Sequence, residues 1–244
     1  MILIFGKTGQ VARELQRSGD FLALSRDLTD LSNPLSCYDV IKIHEPEAVI
    51  NAAAYTDVDK AETEEELATI INAYSPKAMA QACATLNIPL VHLSTDYVFD
   101  GTGNEPWQPK DATKPQNAYG RSKKKGEDGI RSVDSTYCIL RTSWVISSHG
   151  TNFVKTMLNL SEDRATLSLV SDQIGGPTPA KDIAKACLQI VQQLKQDPSK
   201  SGTYHFSGTE DVSWAEFAIE IFKQTGRSVN VLPIQTCDYP TLAV

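Results

Sequence analysis

The chain of 244 residues lacks any apolar run of the roughly 18 or more residues needed to span a bilayer as a helix. Its first residues, MILIF, are apolar, but Gly6 follows at once and the stretch is too short for the core of a secretory signal. It also lacks any Cys-x-x-Cys pair. The five cysteines (37, 83, 138, 187 and 237) are scattered, odd in number and mostly in apolar surroundings. That usage predicts reduced, packing cysteines in a cytoplasmic protein. The four histidines have no ligand-like spacing and no cluster of Cys or carboxylates beside them, so no metal site is expected. There is no excess of positive charge. A formal net charge of -7 argues against nucleic acid or an anionic membrane as the main partner, while leaving room for a local basic pocket. No biased tract is present, and the chain is long enough to bury a substantial core.

What the sequence does contain is an alternation of strands and helices. Ile2 to Phe5 reads as a strand that enters a Gly-containing turn and then a helix with apolar Val11 and Leu15. Gly6 and Gly9 have GxxG spacing, and Ala12 stands where a third glycine would complete the pattern. Glycine lets a backbone approach a pyrophosphate, and a helix N-terminus offers free N–H groups and the positive end of its dipole. The plain alternative is an ordinary strand-to-helix turn. FLALS (residues 21–25) follows as a second strand. Its end carries Ser25 and Arg26 where many dinucleotide folds place a ribose-binding acid. The missing acid and the neighbouring Arg suit the 2'-phosphate of NADPH. Asp27 keeps NADH open, and a solvated Arg26 is the structural alternative.

Residues 34–44 read as a helix, 48–54 as a strand, 62–86 as a helix broken before Pro76, and 89–95 as a strand. This pattern predicts an α/β fold: a Rossmann-like, doubly wound parallel sheet with right-handed crossovers. GKTGQ, SRD, NAAAYTDVD and STDYVFDG all fall at the carboxyl ends of its strands, where such sheets bind small molecules. After them comes YGRSK, with Tyr119 and Lys123 spaced to share one helix face. By composition alone that spacing carries little weight. It gains meaning from the cofactor fold around it.

The second half reads as a smaller α/β substrate lobe. Cys138 to Ile146 is a strand, TNFVKTMLNLSE a helix, and residues 168–194 a strand, a turn and a helix with Pro179 at its start. Thr203 to Gly208 is a strand, and residues 213–226 a helix with Ser213 as N-cap and Gly226 as its stop. The boundary is expected near 146, with the dinucleotide part at 1–146, the substrate lobe at 147–244, and the two interleaved.

A Gly-rich first turn, Thr95 at a strand end, and Tyr119-x-x-x-Lys123 together resemble the extended short-chain dehydrogenase/reductases. Within them GKTGQVA, NAAAYTDVDKAE, STDYVFDG, YGRSK, RTSWV, NFVKTML and GGPT resemble the dTDP-4-dehydrorhamnose reductase family from end to end. The resemblance implies reduction by NADPH of the C4 ketone of a dTDP-4-keto-6-deoxy sugar. Thr95, Tyr119 and Lys123 would be catalytic, with Tyr119 the proton donor and Lys123 lowering its pKa. Gly6, Gly9, Gln10 and Val11 would meet the pyrophosphate, Ser25 and Arg26 the adenosine ribose, and Asp30 and Leu31 the adenine. Ala54, Tyr55 and Thr56 would line the nicotinamide half together with Tyr119 and Lys123. Thr95, Asp96 and Trp144 would touch the sugar. Strand capping for Thr95, a turn role for Asp96 and core packing for Trp144, Tyr97 and Phe99 are the structural alternatives.

Two departures stand out. Family members joined through magnesium carry a carboxylate after their GAPT-like motif, and here Lys181 occupies that place. Lysine does not ligate magnesium, which argues against a metal-bridged dimer although Glu14 is present. The family pattern also continues beyond the point where YPTLAV ends, which would leave the nucleotide-binding lobe incomplete. The same fold also serves a non-catalytic regulatory subunit, like the beta subunit of methionine adenosyltransferase, and reductases of other nucleotide-sugars. Both stay open at this point.

Overall fold

The protein is described by a computed structural model covering residues 1–19 and 21–243, so Val244, the end of the expected smaller lobe, lies outside the described residues. In chain order β1 (Ile2–Phe5), α1 (Gln10–Gln16), β2 (Leu22–Leu24), α2 (Pro34–His44) and β3 (Ala48–Asn51) open the fold. Helices α3 (Val58–Ala61) and α4 (Glu65–Thr69), a π-helical turn (Ile70–Tyr74) and α5 (Ser75–Leu86) lead to β4 (Leu90–Thr95). Then come α6 (Ala118–Arg131), β5 (Tyr137–Thr142), β6 (Val145–Ile146), α7 (Phe153–Asp163), β7 (Thr166–Val170), β8 (Ile174–Gly175) and β9 (Thr178–Pro179). The chain closes with α8 (Ala180–Gln196), β10 (Gly202–His205), β11 (Val212–Ser213), α9 (Trp214–Thr225) and β12 (Asn230–Ile234).

Six strands form one parallel sheet in the order β10-β5-β4-β3-β1-β2. Burial on both faces explains why β1, most of β3 and the start of β4 are apolar. Ile2, Ile4, Ala48, Ile50, Val91 and Leu140 pack on one face against α1 and α8. Leu3, Phe5, Val49, Leu90 and Ile139 pack on the other against α2, α5 and α6. The chain order reverses between β1 and β3, which opens a crevice at their carboxyl ends.

The Rossmann-like expectation therefore holds. The expected boundary at 146 cuts through this unit, because α8 lies on the sheet and β10 is its edge strand. The smaller lobe is an apolar cluster of α7, β7, α9 and β12, with Met157, Leu167, Leu169, Ala218 and Phe222 at its centre. Its helix α9 begins with a capping box: Ser213 Oγ accepts from the Glu216 amide, and the Glu216 carboxylate accepts from the Ser213 amide. Gly226 ends it at φ 66. The expected strand 138–146 is broken, since Trp144 adopts φ 50 between β5 and β6. The helix expected over 62–86 with a break before Pro76 is α4 and α5, and the break is the π-helical turn between them.

That turn fixes how closely α6 can approach. A Cβ on Gly126 would lie 2.0 Å from the Asn72 carbonyl oxygen. Alanine would raise the helix propensity of α6 by about 1 kcal/mol, but overpacking against backbone typically costs about 1–3 kcal/mol. At 2.0 Å from a backbone atom the clash dominates. Gly126→Ala is expected to lower the urea unfolding midpoint; an unchanged or higher midpoint would mean that the α6 contact is looser than described.

Candidate active site

The start of α6 is held by side chains from α3 and α4. Asn117 caps it by accepting from the Gly120 amide at 2.8 Å, and a Glu62 carboxylate oxygen accepts from the Ala118 amide at 2.7 Å. Arg121 pairs with Glu65 through Nε and Nη2 at 2.8 and 2.9 Å. This places Tyr119 at the carboxyl end of β4. Its ring meets that of Tyr97 edge-on, with centroids 5.5 Å apart.

Thr95 is buried at the end of β4. Its hydroxyl donates to Asp96 Oδ1 at 3.0 Å and accepts from the Tyr97 amide at 3.2 Å. Asp96 to Val98 form a 3-10 turn. Phe99 is buried and stacks on Trp107, whereas Tyr97 is exposed. Desolvation raises the Asp96 pKa, against hydrogen bonds from Thr95, its own and the Tyr97 amides, and Ser143. Desolvation likewise pushes the Tyr119 phenol well above its usual range; the Thr95 hydroxyl opposes this, and Asp96 and Tyr97 add to it.

The expected lowering of the Tyr119 pKa by Lys123 is not what this geometry produces. Lys123 is 2% exposed, and its Nζ donates to the Leu93 carbonyl at 2.7 Å and lies 3.3 Å from His92 Nε2. Burial lowers the pKa of Lys123 itself to about 8, with Glu127 pulling the other way. Of the KKK run only Lys123 is buried; Lys124 pairs with Asp128, and Lys125 lies over the Tyr74 ring.

The first turn fits a dinucleotide. Gly6 has φ 99, a conformation that side chains resist, and a Cβ there would lie 3.2 Å from the Ala52 carbonyl oxygen. Gly9 is the N-cap of α1, in extended conformation and with no side-chain cap, so the first amides of the helix keep free donors. Gln10 turns its side chain elsewhere. Its Oε1 accepts from Ser147 Oγ at 3.0 Å and from Asn152 Nδ2 at 2.9 Å, which ties α1 to the approach to α7. Val11 is buried in the core between α1 and the sheet.

Around the end of β2, Arg26 extends into solvent at 79% side-chain exposure, and its Nε is 3.8 Å from Asp30 Oδ1. Ser25 and Leu31 are half-buried, and the Leu31 carbonyl accepts from Ser75 Oγ at 2.6 Å. After β3, Asn72 of the π-helical turn holds the Tyr55 backbone at both ends: Oδ1 accepts from its amide and Nδ2 donates to its carbonyl, each at 2.9 Å. The same Nδ2 donates to Ser122 Oγ on α6. One asparagine thus ties the Ala54, Tyr55 and Thr56 segment to the helix that bears Tyr119. In the smaller lobe Trp144 stacks on Trp214, with centroids 3.4 Å apart, beside Phe217. Glu14 is buried against Arg17 and His149, and Lys181 is exposed at the start of α8.

Sequence reasoning missed Asn72, Asn51, His92 and Glu127. The signal for two of them was present. Asn51 ends the apolar run of β3 and His92 interrupts the apolar start of β4, and they sit side by side in register with both side chains buried. A buried polar group needs a partner, so each pointed to a network.

The whole chain, residues 1–244, matches the profile of the RmlD substrate binding domain. It is 41% identical to a dTDP-4-dehydrorhamnose reductase of Salmonella typhimurium, over 99% of this chain and 86% of that one. A solved dTDP-4-dehydrorhamnose reductase from Clostridium acetobutylicum superposes with a TM-score of 0.93 at 39% identity, covering 100% of this chain and 86% of that one. A Bacillus anthracis dTDP-4-dehydrorhamnose reductase in complex with NADP gives the same TM-score of 0.93 and coverage at 37% identity. On this evidence of sequence and fold together, the chain belongs to the RmlD substrate binding domain family.

Proposed function

We propose that this protein reduces the C4 ketone of dTDP-4-dehydrorhamnose to give dTDP-L-rhamnose, with NADPH as reductant. The observation that supports it most is the meeting of the Thr95 hydroxyl and the Tyr119 phenol at the carboxyl end of β4, beside the crevice of a doubly wound parallel sheet. The relatives' names supply the sugar.

Bound NADPH would supply the hydride. The chain would do the rest. Gly6 and Gly9 would let the pyrophosphate close on the backbone amides of Gln10 and Val11. Ser25 and Arg26 would receive the adenosine ribose and its phosphate, Asp30 and Leu31 the adenine, and Ala54, Tyr55 and Thr56 the nicotinamide half. The Thr95 hydroxyl would hold the ketone oxygen, and Tyr119 would give that oxygen its proton. Lys123 would meet the nicotinamide ribose and return the proton to Tyr119. Asp96 and the face of Trp144 would contact the sugar. The substrate lobe would be the cluster of α7, β7, α9 and β12, and the protein would act in the cytoplasm. No helix among the described residues is long and apolar enough to cross a membrane.

The test is the loss of reduced-nicotinamide absorbance with dTDP-4-dehydrorhamnose, run with NADPH and with NADH. Turnover with a preference for NADPH is the expected result. Loss of a charge-assisted phosphate contact is worth about 1.5–3 kcal/mol, so Arg26→Ala should raise KM for NADPH by about tenfold or more and leave KM for NADH unchanged. Cofactor binding without turnover on this sugar would sink the reductase reading, and an equal effect on both cofactors would remove Arg26 from the phosphate.

A further inference from the structure

A line of hydrogen bonds behind the site reaches Lys123 through three elements. The Ala53 amide donates to Asn51 Oδ1 at 3.1 Å. An oxygen must face that N–H, so the Asn51 amide nitrogen is turned the other way, onto His92 Nδ1 at 3.0 Å. His92 Nδ1 is therefore an acceptor, and the one proton of the neutral ring sits on Nε2. Burial beside Lys123 keeps the ring neutral. The Nε2 proton points at Lys123 Nζ, 3.3 Å away, while Nζ donates to the Leu93 carbonyl at 2.7 Å. An ammonium has three donors and no lone pair, so it cannot accept from Nε2. The line closes without two donors in conflict only when Lys123 is an amine.

We infer that Asn51 and His92 are positioning residues that bias Lys123 toward its neutral amine, through a hydrogen-bond line whose polarity the Ala53 amide fixes. Protonating Lys123 reverses the line. Nε2 must then accept, the ring proton moves to Nδ1, and the Asn51 amide must rotate and lose its bond to Ala53. Protonation carries this penalty in addition to desolvation.

The other charges near Lys123 do not create this bias. Glu127, one turn along α6, favours the ammonium, and its carboxylate is already paired with Arg141 of β5 and Arg131 of α6. Tyr119 on α6 and Asp96 after β4 both have raised pKa values. Asn51 of β3 brings a neutral amide. The consequence rests on the proton-donor reading of Tyr119. A lysine held near its usual value of about 10.4 is fixed as an ammonium at neutral pH. One that exchanges its proton closer to neutrality can return that proton to Tyr119 between turnovers.

The test reads the histidine ring rather than activity. Ring-nitrogen NMR shifts of the isotope-labelled full chain distinguish the two tautomers, and replacing His44, His149 and His205 one at a time assigns the remaining signal to His92. The expected result is a ring that stays neutral but changes from the Nδ1–H to the Nε2–H form as pH rises, with a midpoint near the Lys123 value of about 8. A single tautomer throughout overturns the inference. So does an imidazolium that titrates near the ordinary histidine value of about 6.5. Asn51→Asp gives an independent arm. Its carboxylate accepts from both the Ala53 amide and His92 Nδ1–H, so the ring should lock as Nδ1–H. Nε2 then accepts from the ammonium, and the Lys123 titration should rise by about one pH unit or more. An unmoved tautomer or a fall in the titration sinks the idea. Residues that only packed would alter stability and leave the tautomer where it was. Neither readout depends on turnover, so the result stands apart from the reductase assay.

Discussion

Tyr119→Phe should lower kcat by about a hundredfold or more with dTDP-4-dehydrorhamnose while leaving NADPH binding nearly intact. The substitution removes one hydroxyl. The ring keeps its edge contact with Tyr97, and Asn117 and Glu62 still cap the start of α6, so the helix loses no backbone partner. What goes is the only proton that the proposal places at the new alkoxide. The direction of the Tyr119 pKa shift makes a second demand on the same experiment. Burial raises it above the ordinary value of 10.0, so the phenol stays protonated through neutral and mildly alkaline pH. A donor of that kind gives no loss of activity from its own ionisation below that value. Single-turnover rates across pH, measured beside cofactor binding by fluorescence, check both points. A Phe variant with near-normal kcat would assign the proton to water or to Asp96.

Glu127→Gln should be among the most destabilising single changes in the chain. Glu127 is fully buried, and its carboxylate accepts from Arg141 Nε at 2.9 Å, Arg141 Nη2 at 2.7 Å, Arg131 Nη2 at 2.8 Å and Ser94 Oγ at 2.7 Å. Arg141 is itself only 4% exposed. Removing one partner of a buried pair typically costs about 3–5 kcal/mol, because the other charge is left without compensation. Against a total stability of about 5–15 kcal/mol that is a large fraction. Replacing both partners with apolar residues, as in Glu127→Leu with Arg141→Met, should recover most of it. Urea unfolding of wild type and both variants tests this; a double variant as unstable as the single one would show that Ser94 and Arg131 need the carboxylate too.

The pH dependence of that pair follows from the same contacts. Burial alone would raise the Glu127 pKa, but hydrogen bonds and charge from Arg141, with Ser94 and Arg131, bring it below the ordinary 4.5. A depressed carboxylate stabilises the folded state above its unfolded pKa and loses that contribution as pH falls through the folded value. Wild type should therefore lose stability more steeply than Glu127→Gln below about pH 4.5 in acid unfolding followed by circular dichroism.

How the site is assembled was only partly visible in the chain. Local chemistry placed β1, its Gly turn and α1, because a strand pattern and two glycines act over a few residues. It also placed α9, since Ser213 and Gly226 are adjacent to the helix ends they set. It did not reveal the π-helical turn that aims Asn72 at Tyr55 and Ser122, because periodicity cannot distinguish a short π segment from a helix break. Nor did it reveal that Lys123 turns to Leu93 and His92 rather than acting on Tyr119, since that depends on which buried acceptor lies nearest. The boundary near 146 is approximate for a related reason, since the two parts interleave along the chain. A linear boundary cannot describe a chain whose α8 and β10 return to the first sheet.

The alternation of strand and helix, the family, and the chemical identities gathered at the strand ends are legible in the chain alone, because hydrophobic period, turn glycines and helix caps act between near neighbours. The state of those groups is set by packing. The line from Ala53 through Asn51 and His92 to Lys123 joins residues that β3, β4 and α6 bring together, and Glu127 meets Arg141 only because α6 lies on the sheet. Protonation and polarity depend on burial and on the nearest partner, and both are properties of the packed molecule.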